Sequence, residues 1–305
     1  MSAEDIRKKI RRIEIVTSKL VEQVFAGQYE SLFKGRGIEF AEFREYLPGD
    51  DVRNIDWNVT ARFGRPFVKR NEEERELAMM LVVDNSGSLT FGSGQQSKRE
   101  LAGEIGAILA FSALVNNDKI GLMLFSDEVD EYIPPGKGRR HVLRLIREIL
   151  APPAEGRGTN LGQALSRLNR VHKRRALVFV LSDFLGSPFA DLEKERDTAV
   201  RMLRLTGRRH DLSAFRLYDP REQQIPAVGR IRLKDLESGK TVLLDTNDPG
   251  FQQNFQQQVD KRQLGLRKVF EAARVDYAEY ATDQAPVQNL VRFFARKQAR
   301  RKARA

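Results

Sequence analysis

From residue 76 onward the chain alternates two kinds of hydrophobic pattern. Short, unbroken apolar runs at 77–83, 119–127, 175–184, 211–218 and 275–280 are bounded by turn residues. Such runs read as strands buried on both faces. Between them lie segments with apolar residues every three or four positions, which predict helices at 98–115, 139–150, 158–171, 190–206, 250–273 and 286–299. In the first of these, Leu101, Ile105, Ile108, Leu109 and Leu114 form much of one face. The helix at 139–150 ends before Pro152-Pro153, where the next backbone N–H is lost. Strand following helix in this rhythm predicts an α/β fold, a doubly wound, mainly parallel sheet flanked by helices.

Three segments depart from the rhythm. EVDEYI at 128–133 follows its preceding strand too closely for a crossover, so it is expected as an antiparallel hairpin partner. Residues 229–246 alternate on both sides of Glu237-Ser238-Gly239-Lys240, an inserted β-hairpin. Residues 5–30 carry Ile6, Ile10, Ile13, Leu20, Val24 and Phe25 at helical spacing, ahead of a Gly-, Pro- and Asp-rich stretch at 31–70 that reads as short strands and turns. The expected organisation is a helix and β-strap extension (1–75), a main domain (76–295) and a basic tail (296–305).

Composition narrows the classes. The chain has 305 residues, 41% hydrophobic and 31% charged, in the range of a folded polar-surfaced protein. Cysteine is absent, which excludes disulfides, thiolate metal sites and cysteine nucleophiles. No secretory leader is legible at the N-terminus, and no stretch reaches the about 18 apolar residues of a membrane helix. A cytoplasmic protein is expected. The net charge is +11, with six basic residues in the last eleven and six in the first nineteen. These ends are either solvated faces or a surface for nucleic acid or an acidic partner. No zinc finger, helix-turn-helix or aromatic-interleaved basic strand favours nucleic acid.

The candidate chemistry sits at strand ends. Asp84-Asn85-Ser86-Gly87-Ser88 follows the first apolar run, at the carboxyl edge where open α/β sheets bind ligands. If the strands at 77–83 and 175–184 are neighbours, Asp183 reaches the same edge, and the loop before the helix at 158–171 adds Thr159. Asp84, Ser86, Ser88, Thr159 and Asp183 then offer five oxygen-bearing side chains, suited to magnesium, with manganese also possible. Each has a plainer role open to it. Ser86 and Ser88 are candidate turn or cap residues, Thr159 a candidate helix N-cap and Asp183 a candidate turn cap. Ser86 stands where a haloacid-dehalogenase-type phosphatase needs a second Asp. Gly92-Ser93-Gly94 lacks the rest of a phosphate-binding loop. His141, His172 and His210 show no ligand spacing, and no nucleophile–base pair is legible.

The set Asp84, Ser86, Ser88, Thr159 and Asp183, in this order, resembles the metal-ion-dependent adhesion site of von Willebrand factor A-type domains. The segment EFREYLPGDDVRNIDWNVTARFGRPFVKR at 42–70 resembles the signature of a bacterial family with that fold, typically encoded beside MoxR-type AAA+ ATPases. The hairpin at 229–246 also resembles an insertion in that family. The resemblance implies a non-enzymatic, chaperone-like adaptor whose magnesium accepts a partner carboxylate, with a MoxR-type ATPase and an unidentified client protein as partners. Within 42–70, Asp56-Trp57 is either a structural anchor with a packed indole or part of a docking surface.

Overall fold

The computed structural model describes residues 8–15, 43–69, 78–152, 158–186, 188–189, 196–234 and 241–303. A six-stranded sheet is built from β3 (Ala78–Asp84), β4 (Lys119–Phe125), β5 (Val129–Gly136), β6 (Leu177–Ser182), β7 (Asp211–Tyr218) and β10 (Asp276–Ala281). Its order is β10-β7-β6-β3-β4-β5. Every neighbouring pair is parallel except β4–β5, the expected hairpin. Two separate two-stranded sheets are β1 (Phe43–Glu45) with β2 (Phe67–Lys69), and β8 (Arg230–Lys234) with β9 (Thr241–Asp245). The turn of the second, and most of the expected helix at 5–30, lie outside the described residues.

Helices cover both faces. They are α2 (Lys98–Val115), α3 (Arg139–Leu150), α4 (Leu161–Val171), α5 (Arg196–Arg209), α7 (Pro249–Ala273) and α8 (Pro286–Lys302), with α1 (Trp57–Phe63) in the strap and the short α6 (Pro220–Gln223). Side chains alternate across a strand, and here both sides are apolar. Met79, Leu81 and Val83 of β3 enter one core with α2, α3 and α8. Met80 and Val82 enter the other, with α4, α5 and α7. That two-sided burial is why the strands read as continuous apolar runs. Ile10 and Ile13 of the helical stretch 8–15 pack against the first core, and Glu14 bonds Arg139 at 2.7 Å.

The strap differs from its expected strands and turns by the helix α1. Asp56 Oδ1 accepts from the N–H groups of Asn58 (3.0 Å) and Val59 (3.1 Å), and Gly64 ends the helix at φ 67°. None of its residues is buried, so no apolar periodicity announces it; the two caps define it instead. Trp57 is 68% exposed, so its indole does not anchor the strap. At the other end, α8 runs to Lys302 through the first part of the expected tail. Lys297 within it is buried and donates to Ser213 (2.7 Å), Asp211 (2.8 Å) and Asp276 (3.1 Å), joining the amino ends of β7 and β10. Among the described residues no helix is long and apolar enough to cross a membrane.

His210, just ahead of β7, is 1% exposed and lies 5.9 Å from the His172 ring. Burial, then the neighbouring His172, Arg209 and Arg175, push its pKa down to about 4. Below the unfolded value of about 6.5 the unfolded chain therefore binds more protons than the native state, and stability falls as pH drops from 6.5 toward 4. His210→Phe is expected to remove about 3 kcal/mol of that acid loss. Urea unfolding at pH 7 and pH 4.5 checks this.

Candidate metal centre

The strand order reverses direction between β3 and β6: β4 lies on one side of β3 and the later strands on the other. The carboxyl edge at such a switch point is the binding crevice of an open α/β sheet. Asp84 ends β3 there, and Asp183 follows the last residue of β6.

Both carboxylates are buried and held from both oxygens. Asp84 accepts from the Ser86 N–H on Oδ1 (2.9 Å) and from the Ser182 hydroxyl on Oδ2 (2.6 Å). Asp183 accepts from the Leu185 N–H on Oδ1 (3.0 Å), and on Oδ2 from the Ser88 hydroxyl (2.7 Å) and the Lys98 ammonium (2.8 Å). The Ser86 and Ser88 hydroxyl oxygens are 2.9 Å apart. Hydrogen bonds thus join Asp84, Ser86, Ser88 and Asp183 into one cluster.

Thr159 reaches the edge through its backbone neighbours. The Asn160 N–H donates to Ser126 O beyond β4 at 2.7 Å. On the other side, a Cβ placed on Gly186 would fall 2.3 Å from Thr159 Cβ, so Thr159 lies directly over the chain that follows Asp183. The N-cap of α4 is Asn160, whose side chain accepts from the Gln163 N–H, and not Thr159. Ser86 begins the short 3₁₀ turn Gly87–Thr90 without using its side chain as a cap. Thr159 is therefore not the cap of α4, while Ser86 starts its turn through its backbone and leaves its hydroxyl out of the cap. Asp183 does cap its turn, with one oxygen only.

A ring of further residues outside the five candidate ligands fixes the loop. The Asn85 N–H extends the β3–β4 ladder to Phe125 O (2.6 Å). Its side chain bridges Asp130 (2.8 Å) and Arg99 (2.9 Å). Arg99 also donates to Ile149 O and Ala151 O at the end of α3. Ser93 gives both its N–H (2.8 Å) and its hydroxyl (2.6 Å) to Asp219, so the Gly92-Ser93-Gly94 turn is latched to a carboxylate that takes the donors a phosphate would need and would repel one. Arg262 of α7 donates to Phe184 O. The sequence did carry one signal for Lys98 and Arg99. Two cations occupy the first turn of a helix, where the macrodipole disfavours positive charge. Both are buried, paying that cost for a bond made elsewhere.

Charge in the cluster is uneven. Burial, reinforced by the nearby Asp183, raises the Asp84 pKa to about 7. Burial also opposes the Asp183 charge, but Lys98 outweighs it and holds that carboxyl below the usual range. Lys98 itself is held above its ordinary value, since Asp183 and Glu222 together overcome its burial.

The donor set suits a small hard cation. Adjacent oxygens around octahedral magnesium are about 3.0 Å apart, the separation found between the Ser86 and Ser88 hydroxyls. With the Ser88 proton on Asp183, Ser86 is the donor of the 2.9 Å contact, which leaves one lone pair of Ser88 for a metal. With every carboxylate oxygen already hydrogen-bonded, Asp84 and Asp183 are placed to act through metal-bound water. Among the described residues, no three His, Cys, Asp or Glu side chains gather into a metal cluster. His141 lies against Ile120 O near the start of β4, and His172 and His210 lie near the start of β7, all away from this edge.

The topology is that of an α/β fold, a mainly parallel six-stranded sheet with helices on both faces. The chain belongs to the family described as "Protein of unknown function DUF58", which matches residues 42–264. It is 32% identical over 289 residues to Uncharacterized protein Rv1480 of Mycobacterium tuberculosis, covering 94% of this chain and 88% of that protein. Uncharacterized protein MAV169 of Mycobacterium avium is 27% identical over 163 residues, 53% of this chain and 90% of that protein. Among solved structures, the conserved hypothetical protein BatB from Bacteroides thetaiotaomicron aligns at TM-score 0.46 and 16% identity, over 73% of this chain and 99% of that one. The VWA domain of SpRpn10 aligns at TM-score 0.41 and 13% identity, over 70% of this chain and 93% of that one.

Proposed function

We propose that this protein is a non-enzymatic, cytoplasmic adaptor that binds partner proteins through a magnesium ion. Ser86, Ser88 and Thr159 would hold the metal directly, and Asp84 and Asp183 through water, with manganese able to replace it. Bound there, the metal supplies an electrophilic position for an aspartate or glutamate of a partner. The observation that carries this reading is the pair of hydroxyls 2.9 Å apart, backed by Asp183 and free of capping duty at Ser86. The resemblance at 42–70 points to a MoxR-type AAA+ ATPase as one partner, with the ATPase performing work on a client that this chain presents. Trp57 and Phe63, 68% and 67% exposed, offer apolar surface in that same segment.

The test is a pull-down from native lysate with magnesium or with chelator. Wild-type protein is expected to retain the ATPase or a client only with magnesium, and Ser86→Ala to retain neither. Binding that ignores both chelator and Ser86→Ala, yet falls steeply with salt, points instead to a basic surface binding nucleic acid or acidic groups.

A further inference from the structure

The five-residue set does not account for Lys98. Its side chain is wholly buried, and its ammonium donates to Asp183 Oδ2 at 2.8 Å and to Glu222 Oε1 at 2.6 Å. Asp183 Oδ2 is the same atom that accepts from Ser88. Glu222 is fixed in turn: the Asp219 N–H donates to its other oxygen at 3.0 Å, in the capping box of α6. A buried ammonium at the start of a helix is costly unless its charge is used. A methionine would fill much of the same volume without that cost, so packing does not explain the charge. A divalent ion arriving here meets one carboxylate already neutralised and a fixed positive charge beside its hydroxyl ligands.

We propose that Lys98 is a resident cation of the site, holding Asp183 and Glu222 together in the metal-free protein and lowering metal affinity so that the metal exchanges. The inference rests on the magnesium reading of the site. When the metal draws on Asp183, Glu222 remains as the ammonium's partner, which keeps Lys98 satisfied in place. Lys98 is thus a positioning residue that acts on the metal through Asp183.

The test measures manganese binding by electron paramagnetic resonance, and magnesium binding by calorimetry, on the full chain. Wild type, Lys98→Met and Glu222→Gln are compared, with thermal unfolding in chelator alongside. Lys98→Met is expected to bind either ion about tenfold or more tightly while melting at a lower temperature without metal. Glu222→Gln leaves the ammonium less compensated and is expected to weaken binding about threefold or more. A purely structural lysine would not shift affinity in opposite directions in the two variants. Unchanged or weaker binding by a folded Lys98→Met overturns the inference. If Lys98→Met does not fold, unchanged affinity in Glu222→Gln overturns it. Wild-type binding equal to that of both variants sinks only the role of Lys98. No binding by any of the three sinks the magnesium reading too.

Discussion

Asp84→Asn is expected to stabilise the metal-free protein at pH 8 while abolishing its response to magnesium. The carboxyl of Asp84 is buried beside Asp183, and its pKa stands at about 7 against about 3.9 in an unfolded chain. The native state therefore binds more protons than the unfolded state between these values, and its stability falls as pH rises from 4 to 7. Above pH 7 the full cost of the buried charge is present, about 4 kcal/mol. An asparagine keeps an acceptor for the Ser86 N–H or the Ser182 hydroxyl and removes the charge. Its melting temperature in chelator should exceed wild type at pH 8, by a margin that shrinks as pH falls and closes only near pH 4. A bound dication offsets the same charge, so magnesium should raise the melting temperature of wild type at pH 8 and leave Asp84→Asn unmoved. A lower melting temperature for Asp84→Asn at pH 8 would mean that its two hydrogen bonds outweigh the buried charge.

Gly186→Ala is expected to damage the centre from the opposite side. A Cβ there falls 2.3 Å from Thr159 Cβ and 2.4 Å from Thr159 O. Backbone cannot yield as a flexible side chain does, so the Thr159 loop or the chain after Asp183 must shift. The cost is about 1–3 kcal/mol of stability, as for other overpacked sites. Displacing Thr159 removes an expected ligand, so manganese affinity should fall about tenfold or more. Calorimetric titration beside thermal unfolding separates the two effects. Intact metal affinity in a destabilised Gly186→Ala would take Thr159 out of the ligand set.

How much of this was legible beforehand depends on the range of the forces involved. The strands β3, β4, β6 and β7 were readable because burial on both faces leaves an unbroken apolar run. The helices α3, α4 and α7 were readable because one-sided burial imposes a period near 3.6, and α2 because its length and helix-favouring apolar residues suit a buried helix. The helix α1 was not, because seven exposed residues held by Asp56 and Gly64 leave no periodic trace. The five candidate ligands could be named from turn chemistry at strand ends, but which of them serve as caps was decided only in three dimensions. Asn160, one residue on, takes the cap of α4, and Ser86 leaves its hydroxyl free of capping.

The sequence by itself determined the fold class and the edge on which the chemistry gathers, since hydrophobic period and turn composition are local properties. Only the tertiary structure decided which strands are neighbours, and so that Asp84 and Asp183 share one buried cluster. It also brought in Lys98 and Glu222, separated by 124 residues. The physical reason is that a buried charge is tolerable only beside its counter-charge, and long-range packing chooses that partner. Chain order carries no mark of it.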